Sequence, residues 1–124
     1  MSKQVGQNPQ RTAAIKGYKV PFEFVTADVN APTGVLGKGV ASIVRNAAVG
    51  RFLITLRAQY RRLAAFNAES VGATFYKVNC YAVNNENTSS DVTVEVVVLD
   101  GAFAATETTG VRIVGELTFE DSDA

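Results

Sequence analysis

The chain has 124 residues, enough for one domain that hides about two-thirds of the surface its unfolded chain would expose. Hydrophobic residues make up 47% and charged residues 19%, a mixture typical of a soluble globular domain without a membrane-spanning segment. There is no histidine, and Cys80 is the single cysteine. The usual zinc sites, histidine-based catalytic triads and an internal disulfide are therefore excluded.

The formal net charge is zero, but the charges are divided unevenly along the chain. Residues 1–62 contain ten basic and two acidic side chains, a net charge of +8, and the remainder carries −8. Two interpretations remain open. The halves neutralise each other within one fold, or opposite patches attract neighbouring copies or a larger surface.

Residues 1–17 are polar and predict an N-terminal arm that a partner holds in place. Tyr18 to Val25 then alternates, with Tyr18, Val20, Phe22 and Phe24 on one face. Pro21 lacks a ladder donor, so we expect an edge strand or a strand that lies on another subunit. Residues 26–39 are rich in glycine and predict a loop.

Val40 to Val44 predicts a short strand, and Gly50 begins another in which Phe52, Ile54 and Leu56 share a face. Spacings of three and four then predict a short helix over Ala58 to Ala68. Arg61 and Arg62 would lie on its outer side, as a solvated face or as a docking site for an acidic surface.

The clearest strand signal is the run Asp91 to Asp100, which contains five valines. Its partner is Thr74 to Ala82, and the polar residues 84–90 between the two predict a hairpin with a long tip. Cys80 lies on the apolar face, which favours a buried hydrophobe over a reactive thiol.

Val111 to Phe119 predicts the last strand, in which Gly115 interrupts the inward row and indicates a bulge or a close backbone approach. Residues 120–124 form an acidic tail. We therefore predict an all-β domain over residues 18–119, a β-sandwich or jelly-roll-like barrel of about six strands with one short helix.

No converging acid, base, nucleophile or metal-ligating residues are evident, so we expect a binding or structural protein without a cofactor rather than an enzyme. Lys3, Arg11, Lys16 and Lys19 are too dispersed to form a nucleic-acid footprint. We expect no direct nucleic-acid or membrane partner.

Residues 50–119 contain a series of segments with a characteristic spacing, namely Gly50 to Leu56, Tyr60, Leu63, Asp91 to Val94, Asp100, Gly110 and Val111 to Leu117. In the spacing and residue types of these segments the chain resembles small structural proteins of tailed bacteriophages, and capsid decoration (cement) proteins most of all. It implies a β-rich homo-oligomer, with a trimer favoured, that is synthesised in the host cytoplasm and located on the capsid surface of the virion. It further implies that the protein binds the major capsid protein and stabilises the shell. A ligand that binds the assembled shell, and not its loosened form, shifts the equilibrium toward the assembled shell.

Under that interpretation the arm, the first strand and the arginine pair contact the partner. The candidate partner-binding residues are Arg11, Lys16, Tyr18, Lys19, Phe22, Phe24, Arg61 and Arg62. A tail, neck or fibre-associated phage protein is the alternative within the same class. A carbohydrate-binding β-sandwich is the alternative from another class, and it would use the aromatic residues Phe75, Tyr76 and Tyr81.

Overall fold

The computed structural model describes residues 17–46 and 48–120, and all their regular structure is β. Eight strands form one antiparallel sheet in the order β2-β1-β8-β5-β6-β7-β4-β3. The strands are β1 (Gly17–Ala27), β2 (Asn30–Leu36), β3 (Val40–Arg45), β4 (Arg51–Leu56), β5 (Leu63–Val71), β6 (Lys77–Asn84), β7 (Thr93–Leu99) and β8 (Thr109–Glu120). The predicted all-β class is confirmed.

The two end strands β2 and β3 contact each other although no ladder joins them. The sheet is therefore a nearly closed barrel. The loop 100–108 ties the two sides of this seam together. Its Glu107 forms an ion pair with Arg45 at the end of β3, and its Thr108 carbonyl accepts a hydrogen bond from the Asp28 amide at 2.8 Å. Between the loop and β1 the Thr108 hydroxyl donates to the Thr26 hydroxyl at 2.8 Å, and both side chains are buried.

The core lies inside the barrel and is built from the inward-facing residues of the alternating strands. Its fully buried side chains include Phe24, Phe52, Ile54, Leu56, Val94, Val96, Val98, Ile113, Leu117 and Phe119. These are the faces that the alternation predicted for β1, β4, β7 and β8. The predicted hairpin is also confirmed, since β6 pairs with β7 and residues 85–92 connect them.

The predicted helix over Ala58 to Ala68 is wrong. Residues 63–71 form β5, which pairs with β8 along most of its length. The spacing that predicts the helix consists of Tyr60, Leu63, Ala64 and Asn67, whereas the residues of β5 that pack against the core are Leu63, Phe66 and Ala68. Pairing with β8 supplies backbone partners along β5, so the local spacing does not decide the structure.

Two further predictions in the first third of the chain are corrected. Residues 30–36, expected in a loop, form strand β2. Strand β1 is therefore not an edge strand, because β2 pairs with one side of it and β8 with the other. The pairing with β2 starts only at Glu23, so Pro21 is placed where no donor toward β2 is needed.

The barrel has two ends, which the strand registers define. The Phe103 end carries the four connections 28–29, 46–50, 72–76 and 100–108. The Arg61 end carries the connections 37–39, 57–62 and 85–92, together with the start of β1 and the end of β8. No helix in the described residues is long and apolar enough to cross a bilayer.

Candidate functional site

The two ends of the described chain leave the barrel side by side at the Arg61 end. Gly17 at the start of β1 pairs with Glu120 at the end of β8. The connection 57–62 lies against this pair, since the Glu120 amide donates to the Arg62 carbonyl at 2.8 Å. The tip of the β6–β7 hairpin is joined to the same connection, because the Asn87 amide donates to the Tyr60 carbonyl at 2.8 Å.

An aromatic stack forms one wall of this end. The Tyr60 ring lies parallel to the buried Phe119 ring with centroids 4.3 Å apart, and the Tyr18 ring is tilted against Tyr60 at 6.1 Å. Burial raises the pKa of Tyr60, and the nearby Tyr18 phenol raises it further. The side of the stack opens into a cleft of about 300 Å³, lined by Tyr18, Ala58, Gln59, Tyr60, Arg61 and Glu120.

Two arginines and one carboxylate form the other wall. Glu120 accepts a hydrogen bond from Arg62 Nε at 2.8 Å, and its second oxygen lies 3.9 Å from Arg61 Nη1. The Glu120 side chain is only 14% exposed, whereas that of Arg62 is 65% exposed. A second cleft, of about 460 Å³, is lined by Arg61, Arg62, Glu86, Asn87 and Glu120. Arg61 and Glu120 line both clefts, so the clefts adjoin.

Glu86 orders this surface from the hairpin side. Its carboxylate accepts the Leu63 amide at 2.6 Å, which holds the first residue of β5 against the tip of the β6–β7 hairpin. A buried or half-buried amide that lacks such a partner is costly, so this bond stabilises the path of the chain through Arg61 and Arg62.

Three of the eight predicted partner-binding residues come together here, namely Tyr18, Arg61 and Arg62. Lys19 follows Tyr18 but lies on the outer face of β1, 3.9 Å from Glu116. Arg11 and Lys16 lie outside the described residues.

The other two predicted residues are corrected. Phe22 is 2% exposed and Phe24 is 0% exposed, so both belong to the core and present no surface to a partner. The alternation of β1 is confirmed, but its apolar face points into the barrel, where Phe22 stacks on Phe66 and Phe24 packs on Phe52.

Sequence reasoning missed Gln59, Tyr60, Glu120 and Asn87 as members of this surface. Tyr60 had been assigned to a helix and Glu120 to the tail. The sequence does place Glu120 directly after the last inward residue, Phe119. It does not show that Glu120 pairs with Gly17, because those residues are more than a hundred positions apart.

The five ion pairs of the described residues all join the basic half of the chain to the acidic half. They are Lys19 with Glu116, Arg45 with Glu107, Arg61 and Arg62 with Glu120, and Arg112 with Glu23. In the last pair the cation comes from the acidic half and the carboxylate from the basic half. This pattern agrees with neutralisation within one fold, the first of the two interpretations of the uneven charge.

The aromatic residues expected of a carbohydrate-binding face do not form one platform. Tyr76 packs against the core, and Phe75 lies in the connection 72–76. Tyr81 lies on the outer face of β6, where its hydroxyl donates to Glu95 at 2.8 Å and Arg51 lies over its ring at 4.8 Å. Glu95 also accepts hydrogen bonds from Asn46 and Asn84, at 2.7 Å and 3.1 Å, so its polar capacity is used within the sheet.

Cys80 is half-buried and packs against the core. Burial raises the pKa of its thiol, and the carboxylates of Glu86 and Glu95 raise it further. A thiol with a raised pKa holds little thiolate at neutral pH, which agrees with the interpretation of Cys80 as a small hydrophobe.

The fold defines an all-β domain, an eight-stranded antiparallel sheet that nearly closes into a barrel. Comparisons with protein-family models, curated proteins and solved structures find no match for the chain. Within the described residues, no group of three or more acidic or cysteine side chains could hold a metal ion. The Arg61 end places aromatic rings, two guanidinium groups, carboxylates and side-chain amides around two adjoining clefts, and these groups can stack on a ligand and form charge-assisted hydrogen bonds with it.

Proposed function

We propose that this chain is a virion structural protein of a tailed bacteriophage, a capsid decoration protein that binds the head shell through its Arg61 end. The observation that carries the proposal is the meeting of Tyr18, Arg61 and Arg62 at the end of the barrel where β1 begins. The resemblance of residues 50–119 to capsid decoration proteins supports the same function.

The surface suits a protein partner that presents carboxylates beside apolar groups. Tyr18 is 52% exposed, and aromatic and arginine side chains are the residues that most often dominate the binding energy of interfaces. Arg62 is held in place by Glu120, so its guanidinium group is already oriented before a partner arrives. A partner carboxylate would accept hydrogen bonds from the guanidinium N–H groups of Arg62 that Glu120 does not use.

In this proposal the partner is the major capsid protein, and the decoration protein lies on the capsid surface of the virion as a homo-oligomer, with a trimer favoured. No cofactor, nucleic acid or membrane takes part. A ligand that binds the assembled shell, and not its dissociated subunits, raises the melting temperature of the shell by mass action.

The test is to mix the purified protein with undecorated phage shells and measure both occupancy and shell melting. Saturable binding at many sites per shell and a raised shell melting temperature are expected. The variant Arg61→Ala/Arg62→Ala should bind at least tenfold more weakly, because such losses are typical of truncated hot-spot residues. The binding should also weaken at high salt, which screens exposed charges.

The matched control is Arg51→Ala/Lys77→Ala, which removes the same charge away from the Arg61 end. The control should retain binding. Absence of occupancy by the wild-type protein, or equal loss in both double variants, would refute the proposal. Saturation at only a few copies per particle would instead assign the protein to the tail or neck.

A further inference from the structure

The barrel has two sides along which the ladder is absent or interrupted. Between β2 and β3 the loop 100–108 ties the seam, and the inward residues of β3, Val40 and Ile43, are at most 5% exposed. Between β5 and β6 the described part of the chain forms a single cross-strand pair, Glu69 with Lys77. The first side is therefore closed by a loop, whereas the second is joined at one point.

The ladder between β5 and β6 does not continue beyond that pair. At a constant antiparallel register, the next positions toward the Arg61 end would place Asn67 opposite Asn79. Residues 63–68 and 78–84 instead form ladders only on their other sides, with β8 and β7. Among the described residues, no backbone hydrogen bond outside the ladders reaches either segment, so amide and carbonyl groups along the two facing edges lack a backbone partner. We call the opening between these edges the β5–β6 slot.

The floor of the β5–β6 slot is apolar and only partly covered. The inward residues Phe66 and Ala68 of β5, and Cys80 and Val83 of β6, pack against the core but remain partly exposed. The inward apolar residues of β4 and β7 are, by contrast, at most 2% exposed. Apolar surface left open beside unpaired strand edges is removed from water when a further strand is added there.

The β5–β6 slot carries no charge along its length. Residues 63–68 and 78–84 contain no charged residue and no proline, which are the residues that commonly prevent exposed strand edges from pairing. Charged residues lie at the two ends of the slot, Glu69 and Lys77 at one and Glu86 at the other. An uncharged slot selects an uncharged occupant, because a charge buried there would have no partner.

We propose that the β5–β6 slot binds an extended segment of a partner protein in which apolar residues alternate with uncharged polar ones. Such a segment would exchange backbone hydrogen bonds with the edges of β5 and β6 and place its apolar side chains on Phe66 and Cys80. An acyl chain or detergent would cover the apolar floor but leave the backbone groups of both edges without partners. The slot lies on the side of the barrel, so the proposal does not depend on what the Arg61 surface binds.

The experiment uses the full chain and short peptides of the form Lys-Thr-X-Thr-X-Thr-X-Thr-Lys with blocked ends. X is Ala, Val, Leu or Phe, and the alternation places every X on one face of an extended peptide. Peptides of the same composition with the X residues consecutive are the controls. Binding is followed by calorimetry and by amide hydrogen exchange of the protein.

In the free protein, about every second amide of residues 63–68 and 78–84 should exchange rapidly, because those amides face the slot. At least one alternating peptide should bind with a Kd below about 1 mM. At about ten times its Kd, that peptide should slow the rapid amides of both segments about tenfold by mass action. The reaction of the Cys80 thiol with a soluble disulfide reagent should slow as well, since Cys80 lies in the floor. The control peptides should change neither rate.

Val83→Lys places an ammonium group on the floor and should weaken peptide binding at least tenfold. Val44→Lys is the matched control, because it makes the same substitution at an exposed position of β3, and it should retain binding. The exchange measurement on the wild-type protein needs no variant.

Absence of binding by all the alternating peptides up to about 1 mM overturns the proposal. So does binding that leaves exchange in both segments unchanged, protection of β2 and β3 instead, or equal loss in the two lysine variants. Protection of the slot that rises with the concentration of the chain alone would assign it to a second copy and also overturn the proposal. Failure of the protein to bind phage shells is a separate result, because the peptides test the slot without the shell.

Discussion

Replacement of Gly115 by alanine tests how closely β8 approaches the aromatic residues of β1. A Cβ atom at this position would lie 2.7 Å from the Cβ of Ala68 and 2.7 Å from Cε1 of Phe22, and nearer still to Phe22 Cζ. Gly115 pairs with Phe22 on one side and with Ala68 on the other, and the Ala68 Cβ cannot withdraw without moving β5. The Phe22 ring is also held by stacking on Phe24 and Phe66, with centroids 6.3 Å away in each case.

Overpacking of a well-filled core by one methyl group costs about 1–3 kcal/mol. The 124 residues correspond to an unfolding entropy of about 0.26 kcal/mol/K, so Gly115→Ala should lower the melting temperature by about 4–12 °C. Urea denaturation followed by circular dichroism, with a thermal scan, measures both quantities. Gly101→Ala is the control, since nothing lies within 4 Å of its added Cβ, and it should leave stability within about 0.5 kcal/mol.

A double-mutant cycle identifies the clash as the cause. Phe22→Leu removes the ring atoms that the new methyl group would meet, so the cost of Gly115→Ala should fall by at least about 0.5 kcal/mol in that background. A Gly115→Ala variant with the same melting temperature as the wild-type protein would refute the close approach. Equal costs with and without the Phe22 ring would show that Phe22 is not the obstacle.

Two further predictions concern the loop that ties the seam. Thr26→Val should lower the free energy of unfolding, measured in urea, by about 1–3 kcal/mol, because the Val111 amide and the Thr108 hydroxyl both lose their acceptor in a buried setting. Thr108→Val removes only the hydroxyl donor, so a Thr26→Val cost below the Thr108→Val cost would contradict this reasoning. The Arg45 hydrogen bond lowers the pKa of Glu107 below 4.5, so its contribution to stability is present above that pH and is lost as the pH falls through the lowered value. Glu107→Gln should therefore reduce the loss of melting temperature between about pH 6 and pH 3, and an unchanged acid dependence would contradict the assignment.

The strands that sequence patterns identified are those whose side chains alternate between core and solvent. The run Thr93–Leu99 was recognisable because Val94, Val96 and Val98 are apolar at a period of two and are fully buried. Gly115 could be predicted as a close approach for the same reason, since it interrupts an otherwise apolar inward row.

Strands β2 and β5 could not be predicted in this way. Asn30–Leu36 has one buried residue, Pro32, so no alternation exists to detect. Leu63–Val71 has no fully buried residue, and a register shift near its start interrupts the alternation, so no strand period stands out in the sequence. Both segments are strands because neighbouring strands supply backbone partners, and that information is not local.

The residues of the candidate site also fall into two groups, those that the sequence indicates and those that only the structure reveals. Tyr18 could be selected from the sequence because it follows a polar arm, and the arginine pair because two adjacent cationic side chains can dock on an acidic surface. The roles of Glu120 and Tyr60 could not be selected, since they arise from the pairing of Gly17 with Glu120 and from the stacking of Tyr60 on Phe119. The burial of Phe22 and Phe24 likewise depends on residues far along the chain, since Phe22 stacks on Phe66 of β5 and Phe24 packs on Phe52 of β4.

By itself the sequence determined an all-β chain, because the period of two is a property of the extended backbone and requires no knowledge of neighbours. Only the tertiary structure decided that Phe22 and Phe24 are core rather than partner contacts, and which connections meet at the Arg61 end and at the Phe103 end. Those assignments depend on strand order, and strand order is settled by contacts such as Gly17 with Glu120 that lie far apart along the chain.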